Sequence, residues 1–446
     1  ADIIHDRIYD RAITKEIWIY GLDDDDVFDV SGDGDSKIRI RLIGGQNKDI
    51  YNIKKGSKVK VYDYKSKESE FRTKKGSIKL TDDYDTNVYN YKKLKYSSNQ
   101  FFPKIGANPD DGLALGFTNI YTRYGFDRNP FSAQHKISAG YYFATQGFDI
   151  EYNGEIANVL GKFNLGLNAK FTSPNYATNF FGIGNETDNP QAEDNDGLDV
   201  GRDYNRVKLE QTSFTPSLVW RGRMGAMFQF SLSYESFEVE PTRGRFINTL
   251  IGDNVSFSDE FYGADVIYSY TNFDNTSFPT LGMSFGMHVG YRHNVSTSDG
   301  FGYINPELAI DYKLIPSGQL VLASKVKGQI NIGDDFQFYQ GANLGQNEGL
   351  RGFRRERFIG NSAFAQTTDL RLNLRKVKTG LLPLNIGFFG GFDYGRVWAD
   401  GEDSSIWHTS VGGGVFAEAA EMLSFNLSAF NSTDGVLFAF RLGFGF

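Results

Sequence analysis

The sequence predicts an all-β chain, with a 16-stranded antiparallel transmembrane β-barrel over residues 96–446 and a small β-rich soluble module over residues 1–95. Three observations predict it. Aromatic residues make up 15% of the chain and Gly numbers 50, while only 23% of residues are charged. Rings suit a pleated surface and Gly suits turns and close packing, so this mix belongs to β structure. From about Asn99 onward, apolar residues recur at every second position between short turns and longer polar loops. Finally, the faces opposite those apolar rows carry charge and glycine. A soluble sandwich would need an apolar inner face and a polar outer one, whereas lipid outside and a wet lumen inside give this split directly.

The bulk properties agree. No run reaches the ~18 apolar residues of a membrane-spanning helix, and mean hydropathy is −0.40. A transmembrane strand meets lipid only at alternate residues, so low mean hydropathy and strong alternation coexist in a barrel. The formal net charge of −8 argues against the basic surface of a nucleic-acid binder. The absence of cysteine removes thiol nucleophiles, disulfides and Cys-based zinc sites. The chain opens at Ala1 without an initiator Met or a signal segment, as a processed form or a fragment would.

In chain order, residues 1–95 hold strand-like pieces at Glu16–Tyr20, Ile38–Ile43 and Lys58–Tyr64 among Asp- and Lys-rich turns. A repeat of 23 residues relates Gly21-Leu22-Asp23-Asp24-Asp25-Asp26-Val27-Phe28 to Gly44-Gly45-Gln46-Asn47-Lys48-Asp49-Ile50-Tyr51. Two such strand-turn units can pack their apolar positions together. Asp24, Asp26, Asp33 and Asp49 offer hard oxygen ligands for a weak calcium site, beside the plainer reading of solvated acidic turns. No other cofactor is implied.

Sixteen strands follow, centred near residues 101, 118, 140, 152, 166, 212, 230, 266, 287, 309, 325, 369, 390, 411, 427 and 441. An even count suits a closed bacterial barrel. Leu370, Leu372 and Leu374 face away from Asp369, Arg371, Asn373 and Arg375; Val436, Phe438, Phe440, Leu442, Phe444 and Phe446 face away from Ala439, Arg441, Gly443 and Gly445. The stretches near 174–204, 238–258 and 333–361 are long loops on one side. Gly282-Met283-Ser284-Phe285-Gly286 matches a hydrolase string but lies inside an alternating strand, and the five histidines lack metal-ligand spacing, so the barrel carries no catalytic constellation.

Two motifs are linked. Gly349-Leu350-Arg351-Gly352-Phe353 is followed some forty residues later by Phe392-Asp393-Tyr394-Gly395-Arg396-Val397-Trp398. Together they resemble the BamA, TamA and FhaC superfamily of outer-membrane barrels, the bacterial surface antigens, with Leu350 where that family usually has Val. Phe180-Phe181-Gly182-Ile183-Gly184-Asn185, and Asp274-Asn275 with Pro279-Thr280-Leu281-Gly282, also resemble its patterns. The resemblance implies a loop folded back into the lumen, with Arg351 paired to Asp393. Strand parity independently turns both Asp393 and Asp369 inward, where they could meet a descending guanidinium. Gly352 is read as the point where the backbone bends. Arg351 is expected to hold the loop more firmly than Arg354, Arg355 or Arg357. Phe440, Leu442, Phe444 and the terminal Phe446 are similar to the family's C-terminal assembly signal.

The resemblance implies a place in the outer membrane of a Gram-negative bacterium, among outer-membrane lipids and lipopolysaccharide, with the N-terminal module periplasmic. Two functions follow. The barrel inserts or translocates polypeptide or lipid, a polypeptide substrate engaging the seam between first and last strands, after the outer-membrane assembly machinery has placed the barrel. Alternatively it is an anchor or autotransport pore for an upstream metallophosphoesterase-like or patatin-like enzyme domain. Residues 1–95 lack the two helices of each POTRA unit, which raises the second to near parity with the first.

Overall fold

A computed structural model describes the chain apart from residues 1–2, 33–36, 193–199, 241, 252–256, 276–277, 334, 375–376, 379, 381–382, 420–422 and 445–446, with backbone alone at 93, 223, 250–251 and 443–444. The chain folds as two units, Ala1–Tyr96 and Ser97–Phe446.

The first unit contains β1 (Glu16–Tyr20), β2 (Val27–Val30), β3 (Arg39–Ile43), β4 (Ile50–Ile53), β5 (Val59–Asp63), β6 (Glu70–Lys74) and β7 (Ser77–Leu80). They alternate between two parallel sheets, ordered β1-β3-β5-β7 and β2-β4-β6. This is a small parallel solenoid in which each coil gives one strand to each sheet. The 23-residue repeat is its first pitch, since Phe28 pairs with Tyr51. A third coil, hidden from the repeat by its shorter spacing, pairs Tyr51 with Phe71. The Phe28, Tyr51 and Phe71 rings stack at 5.2 and 5.0 Å. Leu42, Ile53, Val59 and Val61 complete the core because alternate residues of each short strand point inward.

The second unit contains β8 (Ser98–Asn108), β9 (Gly112–Arg123), β10 (Ala133–Tyr142), β11 (Gly147–Leu160), β12 (Phe163–Thr172), β13 (Ala177–Asn179), β14 (Arg206–Arg221), β15 (Ala226–Glu240), β16 (Phe257–Phe273), β17 (Gly282–Asn294), β18 (Gly300–Lys313), β19 (Leu320–Ile332), β20 (Ala342–Leu344), β21 (Phe358–Gly360), β22 (Ser362–Asn373), β23 (Leu384–Trp398), β24 (His408–Ala419), β25 (Leu423–Ser432) and β26 (Gly435–Phe444). Leaving aside short β13, β20 and β21, sixteen antiparallel strands close into a barrel, and every predicted strand centre falls inside one of them. The stretch 333–361 is not irregular throughout, because β20 and β21 form a small hairpin within it.

Parity separates lipid from lumen. Val436 and Phe438 are 48% and 65% exposed outside, while Leu437 between them is 8% exposed inside. Leu370 and Leu372 are likewise exposed outward, whereas Arg371 reaches Asp311 across the lumen wall at 2.9 Å. Arg375 lies outside the described residues. The barrel closes where β26 meets β8, through Phe440–Ala107, Arg441–Gly106 and Leu442–Ile105 alone among the described residues. By contrast, β15 pairs with β16 from Ala226 to Val239.

Candidate functional site in the barrel lumen

The segment between β19 and β22 runs back against the inner wall. Its apolar residues drive this, since Leu350, Phe353 and Phe358 are fully buried with Leu344 against Ala363, Ala365 and Val397 of β22 and β23. Burying side chains of this size contributes ~1.5–3 kcal/mol each before ordering costs. Gly352 passes so close to the wall that a Cβ there would lie 2.7 Å from the Ser410 Cβ and 3.0 Å from the Ser432 Cβ. Close approach, more than bending, is therefore what requires glycine at this position.

Arg351 meets two carboxylates. Its backbone N–H donates to Asp393 Oδ2 at 3.0 Å, and its Nε and Nη2 donate to Asp393 Oδ1 at 3.1 and 2.5 Å. Nη2 also donates to Asp369 Oδ1 at 2.7 Å. The guanidinium lies 4.1 Å over the Phe430 ring. Gly391 makes room for it, because a Cβ there would fall 2.6 Å from Arg351 Nη2. Asp393 is completely buried and takes a further hydrogen bond from Ser410 at 2.8 Å. Phe353 sits edge-on to Phe358 and His408.

The remaining motif residues lie elsewhere. Phe392 and Trp398 are exposed on the outer face, Trp398 edge-on to Trp407 at 6.2 Å. Gly395 allows β23 to pass close to β22, since a Cβ there would lie 2.6 Å from the Phe364 carbonyl. In the C-terminal pattern, Phe440 and Leu442 pair at the seam. The Phe444 side chain and all of Phe446 lie outside the described residues. In the solenoid, Asp49 Oδ1 accepts the Asp26 backbone N–H at 3.0 Å, Asp24 is exposed in a turn, and Asp33 lies outside the described residues. Among the described residues no group of three acidic, His or Cys side chains is arranged to hold a metal.

Three further arginines of the loop are bound more deeply than the sequence reading ranks them. Arg354 Nε donates to Asp110 at 2.6 Å, Arg355 Nη2 to Asp111 at 2.6 Å, and Arg357 Nε to Asp434 at 2.7 Å. Burial raises the Asp110 carboxyl, but the Arg354 and Arg355 guanidiniums overcome this and hold it below the usual carboxylate range. Asp110 and Asp111 form the β8–β9 turn and Asp434 the β25–β26 turn, so these arginines reach hairpins on both sides of the seam. Phe181 lies under Arg354 and Arg357, and the Gly184 N–H donates to the Ile359 carbonyl at 2.8 Å, which ties the Phe180–Asn185 motif to the same loop. The pairing of three loop arginines with acidic hairpin turns was the available signal for Asp110, Asp111 and Asp434.

A closed sixteen-stranded barrel, apolar outside and charged within, is the architecture of an outer-membrane β-barrel. Two solved structures share the fold. BamA from Haemophilus ducreyi lacking POTRA domains 1–3 matches with a TM-score of 0.57 at 13% identity, over 78% of this chain and 70% of that one. CdiB from Escherichia coli matches with a TM-score of 0.52 at 11% identity, over 78% of this chain and 63% of that one. The fold is thus the one implied by the two linked motifs. No protein-family model and no curated protein matches the sequence.

Proposed function

We propose that this barrel acts in the outer membrane to insert or translocate polypeptide or lipid, with the 333–361 loop as a plug that also staples the seam. The observation that carries the reading is the loop's placement. The β26–β8 contact has three described residue pairs, and Arg354, Arg355 and Arg357 bind the turns of the two hairpins that meet there. Seating the loop therefore favours a closed seam, and releasing it leaves, among the described residues, the three backbone pairs of β26 with β8. The likeness in fold to BamA and CdiB supports this reading. On it, the barrel is not an enzyme. Its partners are outer-membrane lipids and lipopolysaccharide, a polypeptide client at the seam, and the assembly machinery that reads the C-terminal residues during biogenesis.

A second reading, an anchor or pore for an upstream enzyme domain, is favoured by the first unit. Its described residues form a parallel solenoid without the helix pair of a POTRA domain. Either way this unit is assigned to the periplasm.

The chain has no cysteine, so an Ile105→Cys/Leu442→Cys pair can be crosslinked across the seam without side reactions. In liposomes, crosslinking should stop protease-protected insertion of an unfolded outer-membrane client, and reversal should restore it. Full insertion by the crosslinked protein would overturn the seam reading and leave the anchor.

A further inference from the structure

A cavity of about 580 Å³ lies in the lumen directly against the seam. Three of the cations that line it are already neutralised: Arg351 by Asp369 and Asp393, Arg355 by Asp111, and Arg371 by Asp311. Two are not. Lys104 of β8 and Arg441 of β26 line the same cavity, and neither has a carboxylate within ion-pair distance among the described residues. Among the described residues Arg441 donates to Asn347 Oδ1 of the loop, at 3.3 Å.

Strand register brings these donors together. Arg441 pairs with Gly106, and Lys104 stands two residues along β8 on the same face. The two cations are therefore diagonal neighbours across the seam, with backbones ~7–8 Å apart. Lys104 is backed on β9 by Gly116, and Gly106 by Ala114, so no bulky side chain fills the space in front of them. Two like charges facing one hollow form a site for a compact anion with several acceptor oxygens.

The rest of the wall narrows the class of anion. Ile105, Phe440 and Leu442, residues of the outward parity, also line the cavity, and the described pairing of β26 with β8 stops at Ile105. The hollow thus joins a cationic lumen face to apolar residues of the two seam strands. An amphiphile fits both halves, with its charge inside and its hydrocarbon toward the membrane, whereas an acidic peptide would leave the apolar half unmatched. We infer that this niche binds the phosphate of a membrane lipid headgroup, held by Lys104 and Arg441, with an acyl chain beside Ile105 and Leu442. The site needs neither an open seam nor a released loop, so it stands or falls independently of the translocation reading.

The test uses the purified full chain in nanodiscs of phosphatidylglycerol, transferred to detergent and examined by native mass spectrometry. The wild type should retain phosphatidylglycerol, and millimolar inorganic phosphate should compete for it. Lys104→Gln/Arg441→Gln should lower retention by roughly tenfold or more, the loss of at least one charge-assisted hydrogen bond. Lys162→Gln, in the β11–β12 turn, should not. Heat-modifiable migration establishes that each variant is folded. Diacylglycerol with the same chains should not be retained. Equal retention by the double variant, or of diacylglycerol, would overturn the proposal. So would a site that takes inorganic phosphate but retains no phosphatidylglycerol, or retention of an acidic peptide in the lipid's place.

Discussion

Replacing Arg351 with Ala strands the Asp393 carboxylate. That group is 0% exposed and keeps, in the variant, only the backbone N–H of residue 351 and the Ser410 hydroxyl. Removing one partner of a buried ion pair costs ~3–5 kcal/mol because the remaining charge is uncompensated. The Arg351 side chain is 22% exposed, so some screening places the effect near the lower end, at about 3 kcal/mol. At ~1.4 kcal/mol per decade, this shifts the balance between seated and released loop by about 100-fold. Asp393→Asn is milder, because Arg351 retains Asp369 at 2.7 Å and the Phe430 ring at 4.1 Å; about tenfold is expected for the loss of one charge-assisted contact. Arg354→Ala alone should also be mild, since Asp110 keeps the Arg355 backbone N–H at 3.1 Å and its nearby guanidinium. Single-channel recording in planar bilayers reads the result directly. Conductance steps should become larger or more frequent in the order wild type, Asp393→Asn, Arg351→Ala. Wild-type conductance in both variants would refute the assignment of this pair as what holds the loop.

Two predictions concern the solenoid. The buried Asp49 carboxyl is raised to about 6, chiefly by burial and further by Asp63, Asp26 and Asp25, against the lowering effect of the Asp26 N–H. Its folded pKa exceeds the unfolded value of ~3.9, so the contribution is complete below about pH 4 and is lost as pH rises through about 6. Denaturant midpoints followed by Trp18 emission should fall over that window, and Asp49→Asn should flatten the profile; an unchanged slope in the variant would show that another group is responsible. Tyr51 is 0% exposed, stacked between two rings, and donates to Asp63 at 3.1 Å. Tyr51→Ala should therefore destabilise the unit by ~3–5 kcal/mol, and Tyr51→Phe by ~1–3 kcal/mol through the unsatisfied Asp63 oxygen. Tyr89→Ala, at an exposed position, is the control, and an equal loss there would refute the ladder's role.

The barrel was legible because its physics repeats in every strand. Lipid selects large apolar residues at alternate positions, so Leu370 and Leu372 announce a strand even beside Asp369 and Arg371. The Arg351–Asp393 contact was legible because a motif and strand parity pointed to it separately. The partners of the other loop arginines were not. Arg354 and Asp110 are 244 residues apart, and only closure of the barrel brings the first hairpin beside the last. The meeting of Arg441 with Lys104 was hidden for the same reason, since their neighbourhood exists only across the seam. In the solenoid, the 23-residue repeat exposed two coils. The third was obscured because Asp63 stands where Gly21 and Gly44 stand in the earlier coils and its spacing is shorter.

The energetics of the seam follow from which bonds cross it. Among the described residues three backbone pairs, at ~0.5–1.5 kcal/mol net for each hydrogen bond, join β26 to β8, against the run from Ala226 to Val239 that joins β15 to β16. The loop adds a second set of links at the barrel end that carries the long loops. Arg357 holds the β25–β26 turn through Asp434, and Arg354 and Arg355 hold the β8–β9 turn through Asp110 and Asp111. Charge-assisted hydrogen bonds contribute ~1.5–3 kcal/mol each, so the loop's share of seam closure is at least comparable to that of the backbone. Arg351 anchors the same segment on β22 and β23, away from the seam. A force that parts the two hairpins must therefore either break the tip arginines from their turns or pull the whole segment off Asp369 and Asp393. That geometry links the lumen wall to both hairpins of the seam through one loop.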